Sequence, residues 1–328
     1  MYRCTHCKYI GEAPRNPTAP QVRCANCQSV ANVHDSVTLV TQLMARYTAV
    51  ARELEILRNQ DNDTDNAAIT NNSQDGENID FSQTDMLANE KQHIPLARWF
   101  KGRNIKTTFD YSAVDMSGYY DEAAQKIGEN YVIFQDIIGK IGWSYRKNHT
   151  GINLDLKKYS QQDAGSINKI CREFYSHTLF SGYSYQKQEK IIRLKLQSAT
   201  PIYQFFTGGW LEWYALSTVL QVMSEKNIQM FSCARSAKVQ FGNQDTHELD
   251  VLLLTPRQDP IIIECKTGEY RRDINKYLDL RKRLGLSQQN FIMLVTDIDE
   301  TQAKAFSSMY QLTFLTIGQL PEYIKQIT

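Results

Sequence analysis

Residues 247–268 read HELDVLLLTPRQDPIIIECKTG, and no other stretch restricts the fold as strongly. Leu249, Val251 and Leu253 alternate with Glu248, Asp250 and Leu252, which is the period of a strand. Pro256 to Pro260 carries turn chemistry. Ile261-Ile262-Ile263 is a short β-branched run of the kind buried strands contain. Two consecutive strands are expected, with charges set into them. Glu264 and Lys266 are two apart and share a face; Asp250 meets them if the strands pair in the right register. Two readings stay open. The first is a divalent-metal site whose oxygen ligands suit Mg²⁺ or Mn²⁺, with the lysine orienting water or steadying charge on a phosphate. The second is an ordinary ion pair at strand ends. Runs of Val, Ile and Leu around the charges make an unpaired one costly.

At 328 residues the chain has room for two or three domains. No run approaches the length of a membrane span, and MYRCTHCKYIGEA lacks the apolar core of a signal peptide. A soluble, cytoplasmic protein without a membrane partner is expected. The net charge of +1 conceals segregation: +3 over residues 1–60, −6 over 61–100, +5 over 101–200 and −1 over the rest. Positive folded parts are compatible with nucleic-acid binding, and the bias alone does not establish it.

Four of the seven cysteines form two pairs, Cys4-Thr5-His6-Cys7 and Cys24-Ala25-Asn26-Cys27, with sixteen residues between them. Two such knuckles are the ligand set of a tetrahedral structural zinc. Residues 1–33 therefore read as a zinc ribbon, with Cys4, Cys7, Cys24 and Cys27 as Zn²⁺ ligands. Metal binding, on the order of 10 kcal/mol, would supply the stability that so short a segment lacks. Such a ribbon suits nucleic-acid or protein partners. Residues 34–60 read as an amphipathic helix capped by Asp35 or Ser36. Its seam, Val40, Leu43, Tyr47, Val50, Leu54 and Leu57, has heptad spacing, and homodimerisation through a coiled coil competes with packing on the same chain. Residues 61–92, acidic and poor in bulky apolar side chains, read as a disordered linker.

Residues 93–200 read as a helical module. One long helix is expected over 118–142, and Ser160 with Asp163 can cap another that runs to about Tyr175. A hairpin, LFSGYSYQ-KQ-EKIIRLKLQ, follows. Helices followed by a basic hairpin resemble a winged-helix module. Lys187, Lys190, Arg193 and Lys195, with Tyr183 and Tyr185, are candidates for contacts to phosphates and bases. A helical adaptor whose hairpin packs on the next domain is the alternative.

Residues 201–328 read as one α/β domain. Gly208-Gly209 precede a helix, WLEWYALSTVLQVM, that puts Glu212 in its first turn. Strands are expected near 228–241, 248–254, 260–266, 291–297 and 312–316, with a basic helix over 271–283, a helix near 299–308 and a last helix. This order resembles the core of the PD-(D/E)xK nuclease superfamily, and the motifs follow in sequence: a helix glutamate (Glu212), an aspartate (Asp250) and E-x-K (Glu264, Lys266). More narrowly, FFTGGWLEWYAL, HELDVLLL and ECKTG look like the nuclease domain of CRISPR ancillary effectors. Those effectors join it to a ring-nucleotide-sensing (CARF) domain. No doubly wound sheet of the size a CARF sensor needs is legible here.

The resemblance covers about 130 residues and implies a restriction-endonuclease-like fold and a Mg²⁺- or Mn²⁺-dependent endonuclease of antiviral defence. Asp250 and Glu264 would hold the metal with the Cys265 backbone carbonyl, Lys266 would position the attacking water, and Glu212 would assist. Arg271, Arg272 and Lys276 become candidates for backbone contacts with DNA or RNA; Tyr277 is open between that role and the core. Glu248 reads as an ordinary strand residue, and Asp259-Pro260 has the wrong order for the motif. The rival reading is a non-catalytic nucleic-acid-binding or scaffold protein on a degenerate nuclease fold.

Overall fold

The computed structural model describes residues 2–3, 10–11, 21–32, 84–109, 119–228, 231–255, 257 and 259–328. They belong to two compact units, Met1–Gly76 and Glu77–Thr328. In the first, β1 (Tyr2–Arg3) pairs antiparallel with β2 (Ile10–Gly11), and β3 (Gln21–Arg23) with β4 (Val30–Asn32). Cys24 opens the second turn: its N–H donates to the Ser29 carbonyl at 2.8 Å and its carbonyl accepts from the Gln28 N–H at 2.9 Å. Gln28 adopts left-handed backbone, φ 60°. Cys4, Cys7 and the helix expected over 34–60 lie outside the described residues, as does the linker up to residue 83.

The linker reading fails at its C-terminal end. Residues 84–88 form a 3₁₀ turn and Glu90 begins α1 (Glu90–Lys101), capped by the Asn89 side chain. Met86 and Leu87 are buried, which the acidic composition of the stretch conceals. The Gln92 side chain is also buried and acts as a piece of strand. Its Nε2 donates to the Cys233 carbonyl at 2.6 Å and its Oε1 accepts from the Cys233 N–H at 3.1 Å. Burying an amide demands such pairing.

After β5 (Lys106–Thr108) come α2 (Tyr119–Glu129), α3 (Tyr131–Arg146), β6 (Gly151–Asp155), α4 (Gln161–Ser176), β7 (Phe180–Gln186) and β8 (Ile191–Leu196). The single helix expected over 118–142 is two, separated at Asn130, whose side chain donates back to the Lys126 carbonyl at 2.9 Å. Gly128 just before the break lets α2 approach closely: a Cβ there would stand 2.1 Å from the Tyr214 ring. Ser160 caps α4 as its position suggests, accepting from the Asp163 N–H at 3.1 Å. β6, β8 and β7 form a three-stranded antiparallel sheet in that order.

The chain continues with α5 (Thr200–Gln204), a π turn at Phe205–Gly209, α6 (Trp210–Glu225), β9 (Ser232–Gln240), β10 (Thr246–Leu254) and β11 (Pro260–Lys266). Then follow α7 (Ile274–Leu284), β12 (Phe291–Val295), α8 (Glu300–Tyr310), β13 (Thr313–Leu315) and α9 (Leu320–Ile327). A six-stranded sheet runs in the order β13-β12-β11-β10-β9-β5. β11, β12 and β13 are parallel and the other pairs antiparallel, so the fold is α/β. Lys106–Thr108, read as part of the helical module, is the edge strand of this sheet, and α1 packs beside it on the sheet face. Side chains alternate as strands require. Ile261 and Ile263 join α6 and α9 in one core, while Ile262 joins α1, α7 and α8 in the other. The core on the α6 side is continuous with that of α2, α3, α4 and the small sheet.

Candidate active site

α6 starts where only glycine fits. Gly208 has φ 154°, open to a residue without Cβ, and its Cα side lies against Thr267. The helix therefore begins beside the end of β11, with Glu212 in its first turn. Glu212 accepts from Arg235 Nη1 at 2.9 Å and Ser236 Oγ at 3.2 Å. The Arg235 guanidinium lies 4.1 Å from the Trp213 ring centre.

Ser236 explains how Arg235 gets there. Its φ of 52° is strained for a non-glycine residue in a strand. It shifts the alternation, so that Ala234, Ala237 and Val239 all face the α7 side while Arg235 reaches Glu212 on the α6 side. Neither residue was singled out from sequence. The only signal was a cation among small residues in SCARSAKVQ.

β10 and β11 part at the next level. Their ladder runs from Leu254↔Pro260 to Val251↔Ile263. Beyond it the Asp250 carboxylate takes over, its Oδ2 accepting from the Cys265 N–H at 2.7 Å. The same oxygen accepts from Lys266 Nζ at 3.0 Å, and Glu264 Oε2 from that ammonium at 3.1 Å. Asp250, Glu264 and Lys266 thus meet as their spacing suggests. Glu264 is only 2% exposed, and its second oxygen, Oε1, is buried without a hydrogen-bond partner among the described residues.

Electrostatics follow from that burial. Desolvation, then the neighbouring Asp250, push Glu264 up to about 8, against the pull of Lys266. Burial works against the Lys266 ammonium too, but Glu264 and Asp250 outweigh it and hold its pKa above the ordinary lysine value. Burial and then Asp250 also raise Glu212, opposed by Arg235 and Ser236. Burial pushes the Cys265 thiol well up. Its Sγ lies 3.7 Å from the Leu211 carbonyl on the α6 side, so only the Cys265 backbone serves the acidic cluster.

The four residues do not converge on one point. Among the described residues no group of three or more His, Cys, Asp and Glu side chains is placed to hold an ion. Lys266 stands between Asp250 and Glu264, and Glu212 turns to Arg235 across the strand. A cleft of about 1060 Å³ opens on the Glu212 side, floored by Glu212, Arg235 and Cys265 and walled by Gln204, Thr207 and Lys238. Glu248 lines it, exposed and opposite Lys238. Asp250, Glu264 and Lys266 do not line this cleft. The donor set nevertheless fits a hard divalent cation. Two carboxylates meet there, and the buried Glu264 Oε1 is left in a costly state that a proton or a metal relieves.

Arg271 and Arg272 lie exposed in a 3₁₀ turn ahead of α7, and Arg271 pairs with Glu269 at 3.5 Å. Lys276 is exposed in the first turns of α7, while Tyr277 is buried beneath. Lys187 and Lys190 flank the β7–β8 turn, and Arg193 and Lys195 share the outward face of β8. Tyr183 is engaged by its own module: its hydroxyl donates to Asn168 at 2.5 Å and its ring stacks on Tyr175.

No protein-family model matches the chain, and no curated protein matches it. Among solved structures it is similar to protein VC1899 from Vibrio cholerae, at 20% identity and a TM-score of 0.47. It is also similar to Can2 from Sulfobacillus thermosulfidooxidans, determined in complex with cyclic tetra-adenylate, at 14% identity and a TM-score of 0.48. Each match covers 70% of this chain and 59% of the other, so the chain spans less than two thirds of either structure.

Proposed function

We propose that this protein is a metal-dependent nuclease hydrolysing phosphodiester bonds in DNA or RNA, on a domain of the PD-(D/E)xK type. The observation that carries this reading is the meeting of Asp250, Glu264 and Lys266 at the split between β10 and β11, with Glu264 Oε1 buried and unpartnered among the described residues. Asp250, Glu264 and the Cys265 carbonyl would hold Mg²⁺ or Mn²⁺, with Glu212 assisting from across the strand. When bound, the ion supplies Lewis-acid polarisation of the phosphate and a more acidic water. Lys266 positions the attacking water and offsets the charge growing on the phosphate oxygens. Arg271, Arg272 and Lys276 contact the backbone from the α7 side, and Lys187, Lys190 and Arg193 from the hairpin of a winged-helix-like module.

Cys4, Cys7, Cys24 and Cys27 hold a structural Zn²⁺ in this reading, and the ribbon and following helix serve targeting and dimerisation. A cytoplasmic defence effector fits the whole. The test is incubation of the full chain with labelled single- and double-stranded DNA and RNA in Mg²⁺, Mn²⁺ or EDTA. Cleavage in the metal arms and none in EDTA is expected.

The rival reading, a binding or scaffold protein with a spent site, draws on one observation: Asp250 and Glu212 are already paired internally, with Lys266 and Arg235. It predicts salt-sensitive nucleic-acid binding without cleavage.

A pH dependence separates a metal site from a mere ion pair. Glu264 keeps its proton until about pH 8, and a ligand must lose its proton to bind metal. Mn²⁺ affinity should therefore rise toward tenfold per pH unit between roughly pH 6 and 8, then level off. Calorimetry in buffers of different ionisation enthalpy should show close to one proton released per ion at pH 7. A flat affinity over that window would contradict the assignment of Glu264.

A further inference from the structure

We propose that Tyr277 is a positioning residue for Lys266, holding its ammonium through the face of the phenol ring. The catalytic consequence rests on the nuclease reading above; the contact itself does not. Ile274, Tyr277, Leu280 and Leu284 form the buried stripe of α7, and as a member of a stripe Tyr277 is replaceable by leucine. What sets it apart is what the ring meets. Lys266 Nζ stands 5.3 Å from its centre, inside the range over which the negative face of an aromatic ring attracts a cation. Lys276 Nζ lies 5.9 Å from the same ring, so two cations flank one phenol.

Lys266 donates to the carboxylates of Asp250 and Glu264. If those oxygens turn to another cation, the ammonium loses both and is repelled by the newcomer. The Tyr277 side chain is then what keeps it at the site. Burial raises the Tyr277 phenol above its ordinary value, while the charge of Lys266 and its hydrogen bond to the hydroxyl pull the other way, so the phenol stays neutral and meets the ammonium through its oxygen as well as its ring. An apolar side chain at 277 would fill the same space and leave the ammonium free to turn to solvent.

The experiment compares Tyr277→Phe, Tyr277→Leu and a full chain with 3,4,5-trifluorophenylalanine at 277. Fluorination keeps the shape of phenylalanine and drains the ring face of negative charge. The first readout needs no activity: the rate of reductive methylation of Lys266, followed by mass spectrometry. Tyr277→Phe keeps the ring and loses the hydroxyl, so it should raise that rate less than the leucine and trifluoro variants, which should raise it about two- to thirtyfold, the range of a cation–π contact.

The second readout is cleavage, where the same two variants should lose kcat by a similar factor with KM unchanged. If leucine prevents folding, the trifluoro variant decides. A methylation rate indifferent to fluorination overturns the proposal and leaves Tyr277 as core. A wild-type protein that does not cleave sinks the nuclease reading instead, and the methylation series still settles the role of the ring.

Discussion

Lys266→Met is expected to fold, melt at a lower temperature and cleave nucleic acid about 10²–10³-fold more slowly, the scale on which losing a preorganised charge partner acts. The structural cost comes first. Methionine keeps the length of the side chain and removes the ammonium, so Asp250 and Glu264 lose partners at 3.0 and 3.1 Å. Breaking a buried pair by removing one member costs about 3–5 kcal/mol.

Glu264 limits the damage here. It already titrates near 8 with Lys266 beside it, and without the lysine it holds its proton more tightly. At neutral pH a neutral acid, not a lone charge, is buried, so the cost falls at the low end of that range. The loss of rate has a separate cause: nothing is left to position the water or offset the phosphate charge. Thermal melting and single-turnover cleavage on the same preparation check both halves. Wild-type cleavage by a folded Lys266→Met would remove the lysine from the mechanism.

Cys24→Ser has the other large effect, confined to the N-terminal unit. Cys24 is buried within the β3–β4 turn, and the strands around it are three residues each. Strands so short do not hold together by their own pairing. If four thiolates hold one zinc, binding of roughly 10–16 kcal/mol stabilises the hairpins, and replacing one thiolate removes most of it. Zinc analysis should fall from about one ion per chain to well below one half, since a structural site needs all four ligands. Hydrogen exchange over residues 21–32 should lose its protection while β9–β12 keep theirs. A variant with unchanged zinc content would contradict the ribbon.

Most of the six-stranded sheet was legible in the sequence because its strands are locally unambiguous. Ile261-Ile262-Ile263 and HELDVLLL could be little else, and the two-residue step from Glu264 to Lys266 fixes a shared face in any strand. Ser160 and Asp163 likewise announced a helix start through a purely local contact. What stayed hidden depends on distant partners. KTT at 106–108 carries no apolar run and becomes a strand only because the edge of β9 is open to it. Gln92 looks like any surface glutamine until its amide is seen paired with Cys233, 141 residues away.

Glu212 shows the limit more sharply. Its place in the first turn of α6 was legible, but its partner was not. Arg235 reaches it through a left-handed Ser236, and no residue pattern announces a strained serine inside a strand. The four-residue site that the family resemblance implies is therefore two groups: Asp250, Glu264 and Lys266 on the α7 side, and Glu212, Arg235 and Ser236 on the α6 side. Desolvation raises both Glu212 and Glu264, and Asp250 adds to the rise in each, which links the two groups.

The most direct test of the central claim is the single-turnover cleavage rate of Asp250→Asn in Mn²⁺, set beside wild type at equal folded fraction. The amide keeps the shape of the carboxylate and an oxygen to accept from the Cys265 N–H, so the parting of β10 and β11 is preserved. It removes the charge on which metal and lysine both depend. A fall in rate of at least about 10²–10³-fold, with the fold intact, is what a nuclease centre at Asp250, Glu264 and Lys266 requires. Cleavage at the wild-type rate would place the chemistry elsewhere.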